Sequence, residues 1–139
     1  MKNVIINIKS SQGLNGEREV MELKSEGTLE RIDGGFVLSY FEDTVIEGAR
    51  IKTALTALES GKITLAREGA ISSRLLIEEG VRNNCFYSVP EGNLSLGIFG
   101  KEVIVRLSDS GGSIKMVYTI DADMKSISEN TVEIKIRER

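Results

Sequence analysis

Short stretches in which apolar and polar residues alternate, separated by polar turns that carry glycine, make up most of this chain. A period of two sends successive side chains to opposite faces of a β-strand. Lys62–Gly69 shows the pattern most plainly. Ile63, Leu65 and Arg67 share one face, and Thr64, Ala66 and Glu68 share the other. Arg67 is therefore a guanidinium directed at an apolar face, and the functional reading starts from that conflict.

The same alternation predicts a strand over Asn3–Ser10 around Val4, Ile6 and Ile8, followed by a polar loop over Ser11–Glu17. Glu19–Thr28 offers Met21 and Leu23 on one face. Asp33-Gly34-Gly35 predicts a hairpin, because Asp-Gly and Gly-Gly accept the positive φ of a type I′ turn. Phe36–Glu42 then sets Phe36, Leu38, Tyr40 and Glu42 on one side, and Glu42–Arg50 reads as a polar connection. Ile51–Glu59 is ambiguous. Ile51, Leu55 and Leu58 fit helical spacing with helix-favouring residues, whereas the Ser60-Gly61 turn and the strand after it suit a hairpin.

From Gly61 onward, turns at Gly61, Gly69, Gly80, Gly92, Gly100 and Gly111-Gly112 recur roughly every 8–12 residues, the rhythm of an antiparallel all-β domain. They delimit Ile71–Ile77, Arg82–Val89, Asn93–Phe99, Glu102–Ser108 and Ser113–Asp121, and Asn130–Arg137 closes the chain. About ten short strands without a long helix approach the size at which a sheet closes or splits. Closure also removes exposed edges. The expectation is a single all-β domain over residues 1–139, an antiparallel β-barrel.

Composition narrows the function. A net charge of -3 with scattered Lys and Arg argues against a nucleic-acid partner, which needs a clustered basic face. Aromatics at 5% make a base-stacking platform thin as well. There is no histidine and one cysteine, Cys85. That excludes Ser-His-Asp and Cys-His catalysis and zinc sites built on Cys/His clusters. No cofactor is implied. An intramolecular disulfide is impossible, and neither a signal peptide core nor a membrane-spanning apolar run is present in the sequence. The expectation is a cytoplasmic protein with no membrane partner.

Several segments, taken together, resemble a known family. They are Gly35-Phe36-Val37-Leu38-Ser39-Tyr40-Phe41-Glu42, Ile63-Thr64-Leu65-Ala66-Arg67-Glu68-Gly69, Glu79-Gly80-Val81-Arg82 and Tyr87-Ser88-Val89-Pro90-Glu91-Gly92. Gly111-Gly112 through Tyr118 and Ser128-Glu129-Asn130 complete the set. In this order they resemble the YwiB-like family of small bacterial proteins, a domain-of-unknown-function family with a calycin-like (lipocalin-like) β-barrel. The resemblance implies that Ile51–Glu59 is a strand, and it implies no activity. Lipocalins proper carry a tryptophan near the first strand. This chain has none, so lipocalin ligand biology transfers only as fold-level analogy.

Arg67 needs a counter-charge or an open mouth, because a buried guanidinium is costly unless paired. Glu42, ending the face that carries Tyr40, is the natural partner in a structural ion pair at the barrel rim. The functional counterpart is an anion clamp that grips a carboxylate or phosphate. Tyr40, Tyr87 and Tyr118 all fall on inward faces, either as core packing or as polar handles on a greasy cavity. Arg82 reads as a surface arginine and Cys85 as a buried, inert thiol. Glu42-Asp43 and Glu78-Glu79 are adjacent pairs whose members face opposite ways, so they do not flank one bond as hydrolysis requires. No catalytic residue or metal ligand is assigned. Two functions remain: a non-enzymatic binder of a small acidic or amphipathic ligand using Arg67, Tyr40, Glu42, Tyr87 and Tyr118, or a filled barrel acting through a protein partner, including itself as a homodimer.

Overall fold

The computed structural model of the protein describes residues 1–14, 17–43, 50–69, 72–89, 92–122 and 125–139. Ten strands follow one another: β1 (Lys2–Leu14), β2 (Glu17–Ile32), β3 (Gly35–Asp43), β4 (Arg50–Leu58), β5 (Lys62–Glu68), β6 (Ser72–Glu78), β7 (Arg82–Val89), β8 (Gly92–Ser108), β9 (Gly111–Ala122) and β10 (Lys125–Glu138). Each pairs antiparallel with its sequence neighbours, and β1 pairs with β10 to close the barrel. The all-β barrel expectation holds. β1, β3, β5, β7 and β9 run the same way, so Leu14, Asp43, Glu68, Val89 and Ala122 gather at one end.

The alternation in the sequence becomes layers inside the barrel, because paired residues in neighbouring strands lie on the same face. Phe36, Ala57, Ile63 and Ile77 form one row across β3, β4, β5 and β6. Leu38, Leu55, Leu65 and Leu75 form the next, and all eight are buried. On the far wall Ile134 of β10 pairs with Ile114 of β9 and Ile8 of β1. These aliphatic rows are the core.

The ambiguous stretch is a strand, β4, which ends one residue earlier at Leu58, with Ile51, Thr53, Leu55 and Ala57 buried. Its helix-favouring residues lose to hydrogen-bonded neighbours on both sides, β3 and β5. The expected loop over Ser11–Glu17 is instead the end of β1 and the start of β2. Ser11 and Gln12 pair with Thr131 and Asn130 on one side and with Val20 and Glu19 on the other, so ladder bonds hold a stretch whose side chains are polar. Asn15 and Gly16 lie outside the described residues, as do the turn-marking Pro90 and Glu91.

The turn expected at Gly100 is also absent. β8 runs straight through, with a register shift between Gly100 and Glu102 against β9. That bulge inserts one residue, which is why Ile98 on one side and Val103 and Val105 on the other all pack inward. Gly100 is there for close approach. Its carbonyl accepts from Gly80 N at 2.8 Å, and a Cβ would strike the Glu78 carbonyl oxygen.

Gly100→Ala should therefore cost about 1–3 kcal/mol, a fall in thermal midpoint of roughly 5–10 °C for a chain of this size. The Asp33-Gly34 turn is as expected, with Gly34 at φ 82° and open space around it. Gly34→Ala should add only backbone strain, about 1 kcal/mol. Thermal melts followed by circular dichroism check the order of the two losses.

Candidate functional site

Above the two aliphatic rows, the third row turns polar. Tyr40 of β3 pairs with Thr53 of β4, Thr53 with Arg67 of β5, and Arg67 with Ser73 of β6. Tyr40, Thr53 and Ser73 are buried, at 5%, 0% and 7% exposure, and Arg67 is half-buried. The opposite wall changes at a corresponding height. Tyr118 of β9 pairs with Asn130 of β10, both buried, and Asn130 Nδ2 donates to Ser128 Oγ at 3.0 Å. The polar row lies toward the end where β1, β3, β5, β7 and β9 finish.

Between the walls is a cavity of about 210 Å3. Its lower lining is aliphatic: Ile8, Leu23, Leu55, Leu65 and Ile134. Its upper lining carries Ser10, Met21, Tyr40, Arg67, Met116, Tyr118 and Val132. Arg67 is the one charged side chain among the described residues that line it. Tyr40, Thr53, Arg67 and Tyr118 each engage in an interaction of their own within the protein. Ser73 Oγ is buried and makes no hydrogen bond among the described residues.

The structure thus brings Arg67, Tyr40 and Tyr118 to one cavity. Glu42 pairs with Ile51 in the β3–β4 ladder, and Tyr87 pairs with Ser73 in the β6–β7 ladder. The side chains of both lie outside what the structure describes, as does that of Asp43. Thr53 and Ser73 flank Arg67, and sequence reasoning passed over both. The signal was there: Ser73 precedes Leu75 and Ile77, and Thr53 precedes Leu55 and Ala57, at the same two-residue spacing.

The remaining candidates resolve into structural roles. Glu78 pairs with Lys62 at 3.7 Å, while Glu79 Oε1 accepts from Val103 N at 3.2 Å, so the two carboxylates work apart. Cys85 is a buried free thiol near the Leu76 amide, 3.4 Å away. Among the described residues no cluster of acids, Cys or His is fit to hold a metal.

Arg82 is exposed on the outer wall, as expected, and its guanidinium is engaged there. Its Nη2 and Nε donate to the two carboxylate oxygens of Asp121, at 2.6 and 3.0 Å, and Nη1 donates to Asn84 Oδ1 at 3.3 Å. The guanidinium lies across Gly97, where any Cβ would collide with it. The bidentate bond ties β7 to β9 over the intervening β8. Hydrogen bonding to Asp121 raises the Arg82 pKa above its ordinary value, against a smaller opposing desolvation. Taken from Arg82, the stabilisation belongs to the charged form, is present below the ordinary arginine pKa and is lost only as pH rises through the raised one, so it does not vary around neutral pH.

The family model described as "Domain of unknown function (DUF1934)" matches residues 6–134. No curated protein matches the chain. The crystal structure of the ywiB protein from Bacillus subtilis superposes with a TM-score of 0.89 at 20% identity, covering 99% of this chain and 92% of that one. At that identity the likeness concerns the fold, the lipocalin-like barrel.

Because a Cβ at Gly97 displaces the flexible end of Arg82 rather than backbone, Gly97→Ala should fold and lose the Asp121 pairing. Asp121→Ala should lower the thermal midpoint of the native protein by more than it lowers that of Gly97→Ala, a non-additivity read from a double-mutant cycle.

Proposed function

Since the chain belongs to the family of the domain of unknown function DUF1934, whose description assigns no activity, we propose from the geometry alone that the protein is a non-enzymatic binder of a small acidic or amphipathic molecule. The ligand enters the barrel at the polar end. Arg67 supplies the counter-charge, and Tyr40 and Tyr118 line the same upper part of the cavity beside the head group. The observation that carries this reading is the cavity itself, aliphatic below, with one guanidinium and two tyrosines above. A cavity of that make-up is the usual form of a small-molecule site. An inward arginine is also better placed than a lysine for it, since its planar fork meets a carboxylate with two parallel hydrogen bonds.

A second reading has one observation in its favour. Phe86 is 72% exposed on β7, and Phe99 of β8, four positions along the same ladder, is 37% exposed. Exposed aromatics on a sheet face suit association with another protein or a second copy of this chain.

Native mass spectrometry of the protein purified from its own source separates the two. The binding reading expects a co-purifying small acid that is lost from Arg67→Ala and retained by Arg74→Ala, whose side chain is exposed on the outer face of neighbouring β6. A clean ligand-free mass in every variant, together with a stable dimer that Phe86→Ser dissociates, would favour the second. Arg67→Gln, which keeps hydrogen-bonding reach without charge, guards against loss of folding in the alanine variant.

A further inference from the structure

β2 is longer than the strand beside it. Through the body of the barrel it has a partner on each side, β1 from Glu17 to Leu29 and β3 from Gly27 to Ile32. The β2–β3 register brings Asp43, the last residue of β3, level with Lys24. Glu17–Leu23 therefore rises past the end of β3, and among the described residues it is paired on the β1 side alone. Every residue from Glu17 to Glu22 is exposed, Val20 at 58% and Met21 at 67%. The ladder to β1 runs there without a register shift, and the stretch holds no proline. Such an edge offers a row of backbone N–H and C=O groups to another strand, and it lacks the bulge or proline that would blunt it.

The sequence of this edge fits a second copy of itself. In an antiparallel ladder, opposed residues turn their backbone groups either both toward each other or both away, and the direction alternates along each strand. A strand that pairs with its own copy must therefore set one residue opposite itself on the two-fold axis. Val20 is the midpoint of Glu17–Leu23, so an axis there uses the whole free length. It also sets Arg18 opposite Glu22 of the second copy, twice by symmetry, with the two Val20 side chains between them. All three residues share the outer face, since Met21 and Leu23 line the cavity on the inner one. An axis one residue later sets Arg18 against the second copy's Lys24, and one residue earlier sets Glu19 against itself. Within one chain neither charge is spent on an ion pair among the described residues. Arg18 Nη1 donates to Ser11 Oγ at 2.6 Å, which occupies one nitrogen of its fork.

We propose that the protein forms a homodimer by antiparallel pairing of β2 with β2 of a second copy, centred on Val20, so that one continuous sheet joins the two barrels. Opposite charges facing each other across a strand pair stabilise it, and like charges oppose it. The contact is independent of the cavity and lies on a different strand from Phe86.

Sedimentation velocity over a range of protein concentrations, with circular dichroism to confirm folding, tests the proposal. The native protein should dimerise. Arg18→Glu alone, or Glu22→Arg alone, sets like charges opposite each other on both sides of the axis and should weaken the dimer by about tenfold or more. The two substitutions together exchange the charges and should restore it. Val20→Cys should link two copies by a disulfide under mild oxidation, because opposed Cα atoms about 4.5–5.5 Å apart are within its reach. Glu22→Cys should not, since its two copies lie about 14 Å apart along the strands. Phe86→Ser should leave the dimer intact. A monomer at every concentration, even one whose edge takes up a strand of another protein, would overturn the proposal. So would a dimer that survives the single reversals, that the double reversal fails to restore, or that Phe86→Ser dissociates.

Discussion

Closure of β1 onto β10 is the constraint on which everything else depends. Once the ring is closed, every second residue of ten strands is committed to one shared interior, and a polar side chain on an inward position has nowhere else to go. The barrel meets that constraint by sorting. Aliphatic side chains fill the lower rows, where no polar atom needs a partner, and Tyr40, Thr53, Arg67, Ser73, Tyr118 and Asn130 collect at the other end. On β3, β4, β5 and β6 the switch happens within one two-residue step along the strand. A row of leucines and a row bearing a guanidinium are separated by a single strand period.

That sorting is what gives the interior a direction. A uniformly apolar core of this size would pack solid, as small barrels commonly do. Here the cavity lies between the last aliphatic row and the polar one, with its single charge above. Desolvating a cation is expensive, and at its wall position Arg67 has hydroxyl-bearing neighbours in the row, an interaction of its own within the protein and the cavity beside it. The same arrangement that makes the guanidinium tolerable presents it to an incoming anion.

The outer wall uses an arginine in the opposite way. Arg82 is spent on Asp121, bidentate and laid flat over Gly97, so its fork is already filled. Two arginines of one chain thus stand on opposite faces of the sheet, Arg82 laid against Asp121 on the outer wall and Arg67 beside the internal cavity. Phe86 and Phe99 stand exposed on the same outer wall.

Much of this was legible without coordinates. Alternation around Ile63, Leu65 and Arg67, glycine turns at a steady spacing and the absence of histidine determined an all-β chain, an inward arginine and a chemistry without nucleophilic triads or Cys/His zinc sites. Those are local properties, since the face of a residue follows from its position along its own strand. Ile51–Glu59 needed its neighbours, because its helical propensity is weaker than two flanking ladders. Gly100 misled, because a glycine chosen to let the Glu78 backbone approach has the same letter as one chosen for a turn. Which inward residues share a row, that Tyr118 stands over the same cavity as Arg67, that Ser73 Oγ is left without a bond, and that Arg82 reaches Asp121 were decided by the tertiary structure alone. Such contacts depend on the register accumulated around a closed ring of ten strands, and a register shift such as the one beside Gly100 changes them without changing any local pattern.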